Sequence, residues 1–192
     1  MRLKNAGVVF AAAVTIAFAG IPATSARAET LKAFDQGHVH VMVADEPKRV
    51  EWSVVVPGSV DDVWNAFTTS AGMRTWIAPA ATVELRTGGQ WTVAFPNVAP
   101  GGGTIIDFEP KSFIGIGAMA PEKFPNVRKE RTFALFTFTS QSPKSTLVHL
   151  TQTGWRDGAE WDDAMNYLEG GNAQLLELLY RRFALGPIDW TH

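Results

Sequence analysis

The chain has no cysteine among its 192 residues. That one absence excludes disulfides, thiolate zinc sites, iron–sulfur clusters, cysteine nucleophiles and cysteine-linked acyl anchors. Histidine is scarce too, with four residues in all. His38 and His40 form a close pair, but His149 and His192 are dispersed, and no third ligand stands at metal spacing, so no metal site is expected. There is no Gly-x-Ser-x-Gly elbow and no order of Ser, His and Asp that suggests a nucleophile. Gly101-Gly102-Gly103 lacks the Lys-Ser/Thr of a phosphate loop and reads as a hairpin turn. No catalytic residue and no cofactor is assigned. Internal repeats and low-complexity segments are also missing.

Charged residues make up only 19% of the chain, and apolar ones 46%. That is an ordinary globular balance, sufficient for one domain. The single long uncharged run lies at the start. Arg2 and Lys4 precede an apolar stretch from about Ala6 to Ile21, Gly20 and Pro22 interrupt it, and Ala26-Arg27-Ala28 offers small residues for cleavage. Residues 1–28 are therefore expected to be a signal peptide, cut near Ala28-Glu29, with a periplasmic or secreted product. The run is short for a membrane span, so no stable span is expected after cleavage. Of the 17 basic residues three lie in this leader, which leaves 14 against 19 acids, a net charge of −5. That balance disfavours nucleic acid, which is bound mainly through Lys and Arg, and no nucleic-acid partner is expected.

Residues 29–47 lack clear periodicity and are expected to form an irregular lead-in. From Lys48 to Val56, Val50, Trp52, Val54 and Val56 alternate with polar positions, as a half-buried strand requires. Ser59 is placed to cap a short helix with Asp62 at the capping-box spacing. Val60, Val63, Trp64 and Phe67 form its apolar stripe. Ser70 to Trp76 reads as a second short helix. Between Thr82 and Gly154 about six strands follow: Gln90–Phe95, Thr104–Glu109, Ser112–Met119, Glu130–Thr139 and Thr146–Thr153 are the clearest. The chain ends in a long helix, about Ala159 to Phe183. Trp161, Met165, Leu168, Asn172, Leu175, Leu179 and Phe183 share one stripe, and Gly170-Gly171 interrupts it at a position that marks close packing or open space. Grouped strands and segregated helices define an α+β domain over 48–190.

Several of these segments resemble one family. Residues 54–79 resemble the opening strand and helix pair of the START-like superfamily, also called SRPBCC or Bet v 1-like. Glu84 to Gly89 is similar to the turn of its branch related to the activator of Hsp90 ATPase, and Gly103 to Pro110 to that branch's following strand. Residues 154–190 resemble the end of an exported bacterial subgroup. The resemblance implies a helix-grip fold: a curved antiparallel sheet wrapped around the C-terminal helix, with a hydrophobic cavity between them. Such proteins bind lipids, sterols, polyketides or hormones, and some catalyse cyclisation, dehydration or hydrolysis. The Hsp90 activity in the branch's name does not suit an exported chain, which meets neither that chaperone nor ATP.

Two departures from the family pattern bear on the cavity. The glycines on the face carrying Phe113, Gly115 and Gly117 imply either extra cavity volume, or a bulge or closer helix packing. Asn172 stands where the family often has tryptophan, and as a polar group on a buried stripe it needs a partner, either a carbonyl or a ligand. Strand alternation puts Val148, Leu150 and Gln152 inward and His149 outward. The expected function is that of an exported binding protein for a small hydrophobic or amphipathic molecule. Trp76, Trp91, Phe95, Phe136, Phe138, Trp161 and Met165 are its candidate walls, with Gln152 and Asn172 as orienting polar groups. The alternatives are an enzyme acting on such a molecule and a protein-interaction module that presents the sheet or the 186–190 tail.

Overall fold

A computed structural model describes residues 31–191, so the expected leader lies outside the described residues. Nine strands form one antiparallel sheet: β1 (Leu31–Gln36), β2 (Val39–Asp45), β3 (Lys48–Val56), β4 (Ala80–Val83), β5 (Gln90–Ala94), β6 (Gly101–Glu109), β7 (Phe113–Met119), β8 (Thr132–Ser142) and β9 (Ser145–Thr153). Their spatial order is β1-β2-β3-β9-β8-β7-β6-β5-β4. Four helices accompany them: α1 (Val60–Thr68), α2 (Ser70–Met73), α3 (Pro125–Glu130) and α4 (Ala159–Leu185). This is the expected helix-grip α+β architecture. Alternation along the strands decides which residues meet α4. Trp52 pairs with Leu150, Leu150 with Phe136, and Ile116 with Ala134, so these side chains share the inner face.

The local signals for α1 are realised. Ser59 Oγ accepts from the Asp62 N–H at 3.2 Å and donates to the Asp62 carboxylate at 2.6 Å. Ser59→Ala removes both bonds and is expected to cost about 1 kcal/mol of stability in denaturant unfolding. On the other side of α1, Val63, Trp64 and Phe67 are buried in the core.

Several expectations are corrected. The lead-in is not irregular: residues 31–45 form a hairpin that extends the sheet. Val39, Val41 and Val43 of β2 face inward and are buried, whereas β1 is an exposed edge with little apolar periodicity to betray it. The second helix ends at Met73 rather than Trp76. Gly101-Gly102-Gly103 is not a turn but the start of β6, pressed against its neighbours. A Cβ at Gly103 would lie 2.3 Å from the Gly117 carbonyl oxygen, and one at Gly102 would lie 2.1 Å from that of Trp91. Glu130 belongs to α3, which Pro125 opens, and β8 begins only at Thr132. By contrast, Glu84 to Gly89 forms the turn between β4 and β5 that the resemblance implies, with Glu84 and Arg86 paired at 2.9 Å. Gly115 and Gly117 enlarge no cavity. Their missing side chains would point at Phe133 and Ile106, on the face opposite the buried Ile114 and Ile116. His149 shares that outer face and contacts Thr151 and Glu51.

Helix α4 does not lie evenly over the sheet. Its buried Ala173 and Leu176 flank packs on the β2–β3 half, where the Trp52 indole N–H donates to the Glu169 carbonyl at 2.8 Å. Among the described residues no helix is long and apolar enough to cross a membrane.

Candidate functional site

The other flank of α4 stands off the β5–β8 half of the sheet and leaves a cavity of about 470 Å³. Its sheet wall is built by Trp91, Ile116, Ala134, Phe136 and Leu150. These residues come from neighbouring strands, and each occupies an inward position of its strand. The helix contributes Tyr167, Leu168, Asn172 and Leu175, whose spacing puts them on one stripe. Gly171 falls within that stripe, and a Cβ built there would meet no atom within 4 Å. The loop before β6 (Val98, Ala99, Pro100) and the loop after β7 (Ala120, Pro121, Glu122) form the mouth.

Aromatic packing holds the sheet wall in place. Phe67 of α1 is fully buried and its ring lies 4.9 Å from that of Trp76, 5.1 Å from Phe136 and 5.0 Å from Phe138. The Trp91 indole N–H donates to the Phe67 carbonyl at 2.8 Å, and that of Trp76 to the Ala66 carbonyl at 2.9 Å. Both indoles therefore meet their hydrogen-bonding need on α1.

Away from Glu122, Arg128 and Tyr167, the lining is apolar except where Gln152 and Asn172 meet. Asn172 Nδ2 donates to Gln152 Oε1 at 2.8 Å, and Gln152 Nε2 donates to Thr132 Oγ1 at 2.7 Å. Gln152 and Thr132 are buried. This side-chain string bridges helix and sheet, so the partner that Asn172 needs is an amide and not a backbone carbonyl.

Of the nine candidate residues, Trp91, Phe136, Gln152 and Asn172 come together around the cavity. Trp76, Phe138, Trp161 and Met165 lie in the core, outside its lining. Phe95 is 42% exposed beyond the end of β5 and packs edge-on against Trp190. Leu168 and Leu175 were visible on the helical stripe. The mouth residues gave no such sign, because irregular loops carry no periodicity.

Arg128 of α3 ties the two mouth loops together. Its guanidinium donates to the Ala120 carbonyl at 2.6 Å and to the Pro100 carbonyl at 3.4 Å. Glu160, in the first turn of α4, in turn accepts the backbone N–H groups of Asn126 and Val127 and the Asn126 amide. Burial pushes the Glu160 carboxyl up, but these hydrogen bonds outweigh it and hold it below its ordinary value. A lowered carboxyl stabilises the fold above its unfolded-state value, and this is lost as the pH falls through the folded-state value. The α3 anchor should therefore loosen only in acid, below the ordinary 4.5. Amide exchange at Asn126 and Val127, corrected for intrinsic rates, is expected to quicken there, and Glu160→Gln should bring that loosening to neutral pH.

Elsewhere Lys48 is raised by hydrogen bonds to Asp162 and Asp157, and Asp157 is lowered by the same contact. These acids face Lys48 at the base of α4. Among the described residues no cluster of three metal-ligating side chains occurs.

A family model described as "Activator of Hsp90 ATPase homolog 1-like protein" matches residues 57–184. No curated protein matches the chain. Solved structures share the fold. The Aha1 dimer from Colwellia psychrerythraea is 16% identical, with a TM-score of 0.60, and the match covers 72% of this chain and 97% of that one. Protein MLL2253 from Mesorhizobium loti is 16% identical, with a TM-score of 0.61 and coverage of 73% and 100%. CalU16 from Micromonospora echinospora is 18% identical, with a TM-score of 0.52 and coverage of 84% and 86%.

Proposed function

Because this chain belongs to the activator of Hsp90 ATPase homolog 1-like family, we propose that it uses the family's fold as an exported binding protein. It holds one small hydrophobic or amphipathic molecule between the sheet and α4. The observation that carries this reading is the cavity of about 470 Å³, walled by inward aliphatic and aromatic side chains and provided with one amide pair. A pre-formed apolar cleft with few converging polar groups is the usual form of a small-molecule site. Burial of apolar surface drives such binding, and the amide pair orients the molecule. Export rests on the sequence of residues 1–28 alone.

The test is mass spectrometry of the protein purified from the organism that makes it, under native and denaturing conditions. An excess native mass that disappears on denaturation is expected, with a denatured chain that starts near Glu29. A native mass equal to the bare chain, together with no uptake of added apolar probes, would overturn the binding function. A full-length denatured mass would overturn export.

A further inference from the structure

We infer that the cavity selects an uncharged ligand carrying a hydroxyl or carbonyl group, and that Asn172 is the residue that reads that group. This rests on the binding function proposed above and names its ligand class. Asn172 has polar atoms left over. One amide hydrogen is spent on Gln152 Oε1. Its Oδ1 and its second amide hydrogen take part in no hydrogen bond within the described residues. Among those residues no buried side-chain nitrogen or oxygen lacks a partner, so the unused Oδ1 reaches open space, and the open space beside Asn172 is the cavity.

The string behind Asn172 can run in either direction. In the direction described, Asn172 shows the cavity one acceptor and one donor. With both amides turned over and the Thr132 hydroxyl donating, Gln152 Nε2 would donate to Asn172 Oδ1. Asn172 would then show the cavity two donors. A ligand hydroxyl, which donates and accepts, suits both states, and a ligand carbonyl, which only accepts, suits the second. Thr132 makes the reversal possible, because a hydroxyl both donates and accepts.

Charge is missing from the inner cavity. The charged lining residues are Glu122 and Arg128. Both belong to the mouth, and the Arg128 guanidinium is already engaged by two carbonyls. A carboxylate placed at Asn172 would lose its water without gaining a cation, and an ammonium would gain no anion. Burial of an unpaired charge is far costlier than burial of a hydrogen-bonded neutral group. The site therefore discriminates against fatty-acid-like anions, even though its walls would suit their chains.

Calorimetric titration with naphthalene, 2-naphthol and 2-naphthoate near neutral pH tests this, since the three share an apolar body. Naphthol is expected to bind at least about tenfold more tightly than naphthoate. Asn172→Leu is expected to weaken naphthol by about tenfold and to leave naphthalene as tight or tighter. Equal binding of naphthol and naphthoate to the unmodified protein would overturn the inference while leaving the binding function standing, and that comparison needs no variant. A parallel loss of naphthol and naphthalene in Asn172→Leu would also overturn it, since Asn172 would then only hold the helix. Binding of none of the three would overturn the inference, and the binding function with it where the native mass also equals that of the bare chain.

Discussion

Gly171→Phe is expected to lose at least about tenfold of its affinity for naphthalene while melting no lower than the unmodified protein. The two effects have separate causes. A Cβ at Gly171 meets no atom within 4 Å, so a side chain can leave the helix there without displacing a packed neighbour at its first carbon. Phenylalanine is also a better helix residue than glycine, by a few tenths of a kcal/mol to about 0.5 kcal/mol. The ring must go somewhere, and the stripe formed by Tyr167, Leu168, Asn172 and Leu175 faces the cavity. It therefore occupies the space that the ligand needs, and forcing two bodies into one packed space costs about 1–3 kcal/mol, or roughly tenfold and more in affinity. Gly170 offers the control. It lies off that stripe, and a Cβ there also meets nothing within 4 Å, so Gly170→Ala should stabilise by up to about 1 kcal/mol and leave binding unchanged. A Gly171→Phe protein that binds naphthalene normally would place the glycine outside the site.

Phe67→Ala should have the largest effect on stability. Phe67 is fully buried, and its ring touches those of Trp76, Phe136 and Phe138, with Trp91 stacked at 6.5 Å. Removing a buried phenylalanine side chain costs about 3–5 kcal/mol through lost contacts and the void left behind. At roughly 2–4 °C per kcal/mol for a domain of this size, the melting temperature should fall by roughly 6–20 °C. Binding should weaken as well, because Trp91 and Phe136 are cavity walls braced by this ring. Thermal unfolding followed by circular dichroism checks the first effect and calorimetric titration the second. A loss below about 1 kcal/mol would mean that the aromatic cluster is not the keystone of the wall.

The limits of the sequence reading follow the same physics. β3 and α1 were legible because each carries a local signal: alternation along Lys48–Val56, and a capping serine before an amphipathic turn. The first hairpin was not legible. Most of β1 is exposed and gives no alternation, and β2 acquires its meaning only when Val41 lies opposite Trp52. The cavity was legible in kind, through the polar Asn172 on a buried helical stripe and through inward Gln152. Its walls were harder to assign. Trp76 and Trp91 look alike in sequence, and both bond to carbonyls of α1, yet only Trp91 borders the cavity. That difference depends on how far α4 stands from each half of the sheet, which no local pattern encodes. The Arg128 clasp was invisible for a related reason, since α3 is a short helix between two strands and only its contacts show its role.

On the proposed function, a ligand enters between α4 and the β5–β8 half of the sheet. Tryptophan indole N–H resonances test it most directly, because the seven tryptophans are spread over the molecule. On titration with naphthalene, the Trp91 indole signal is expected to shift, while that of Trp190, which lies outside the cavity lining and donates to the Arg74 carbonyl, stays in place. A saturating titration that leaves Trp91 unmoved, or moves only Trp190, would contradict a ligand in this cavity.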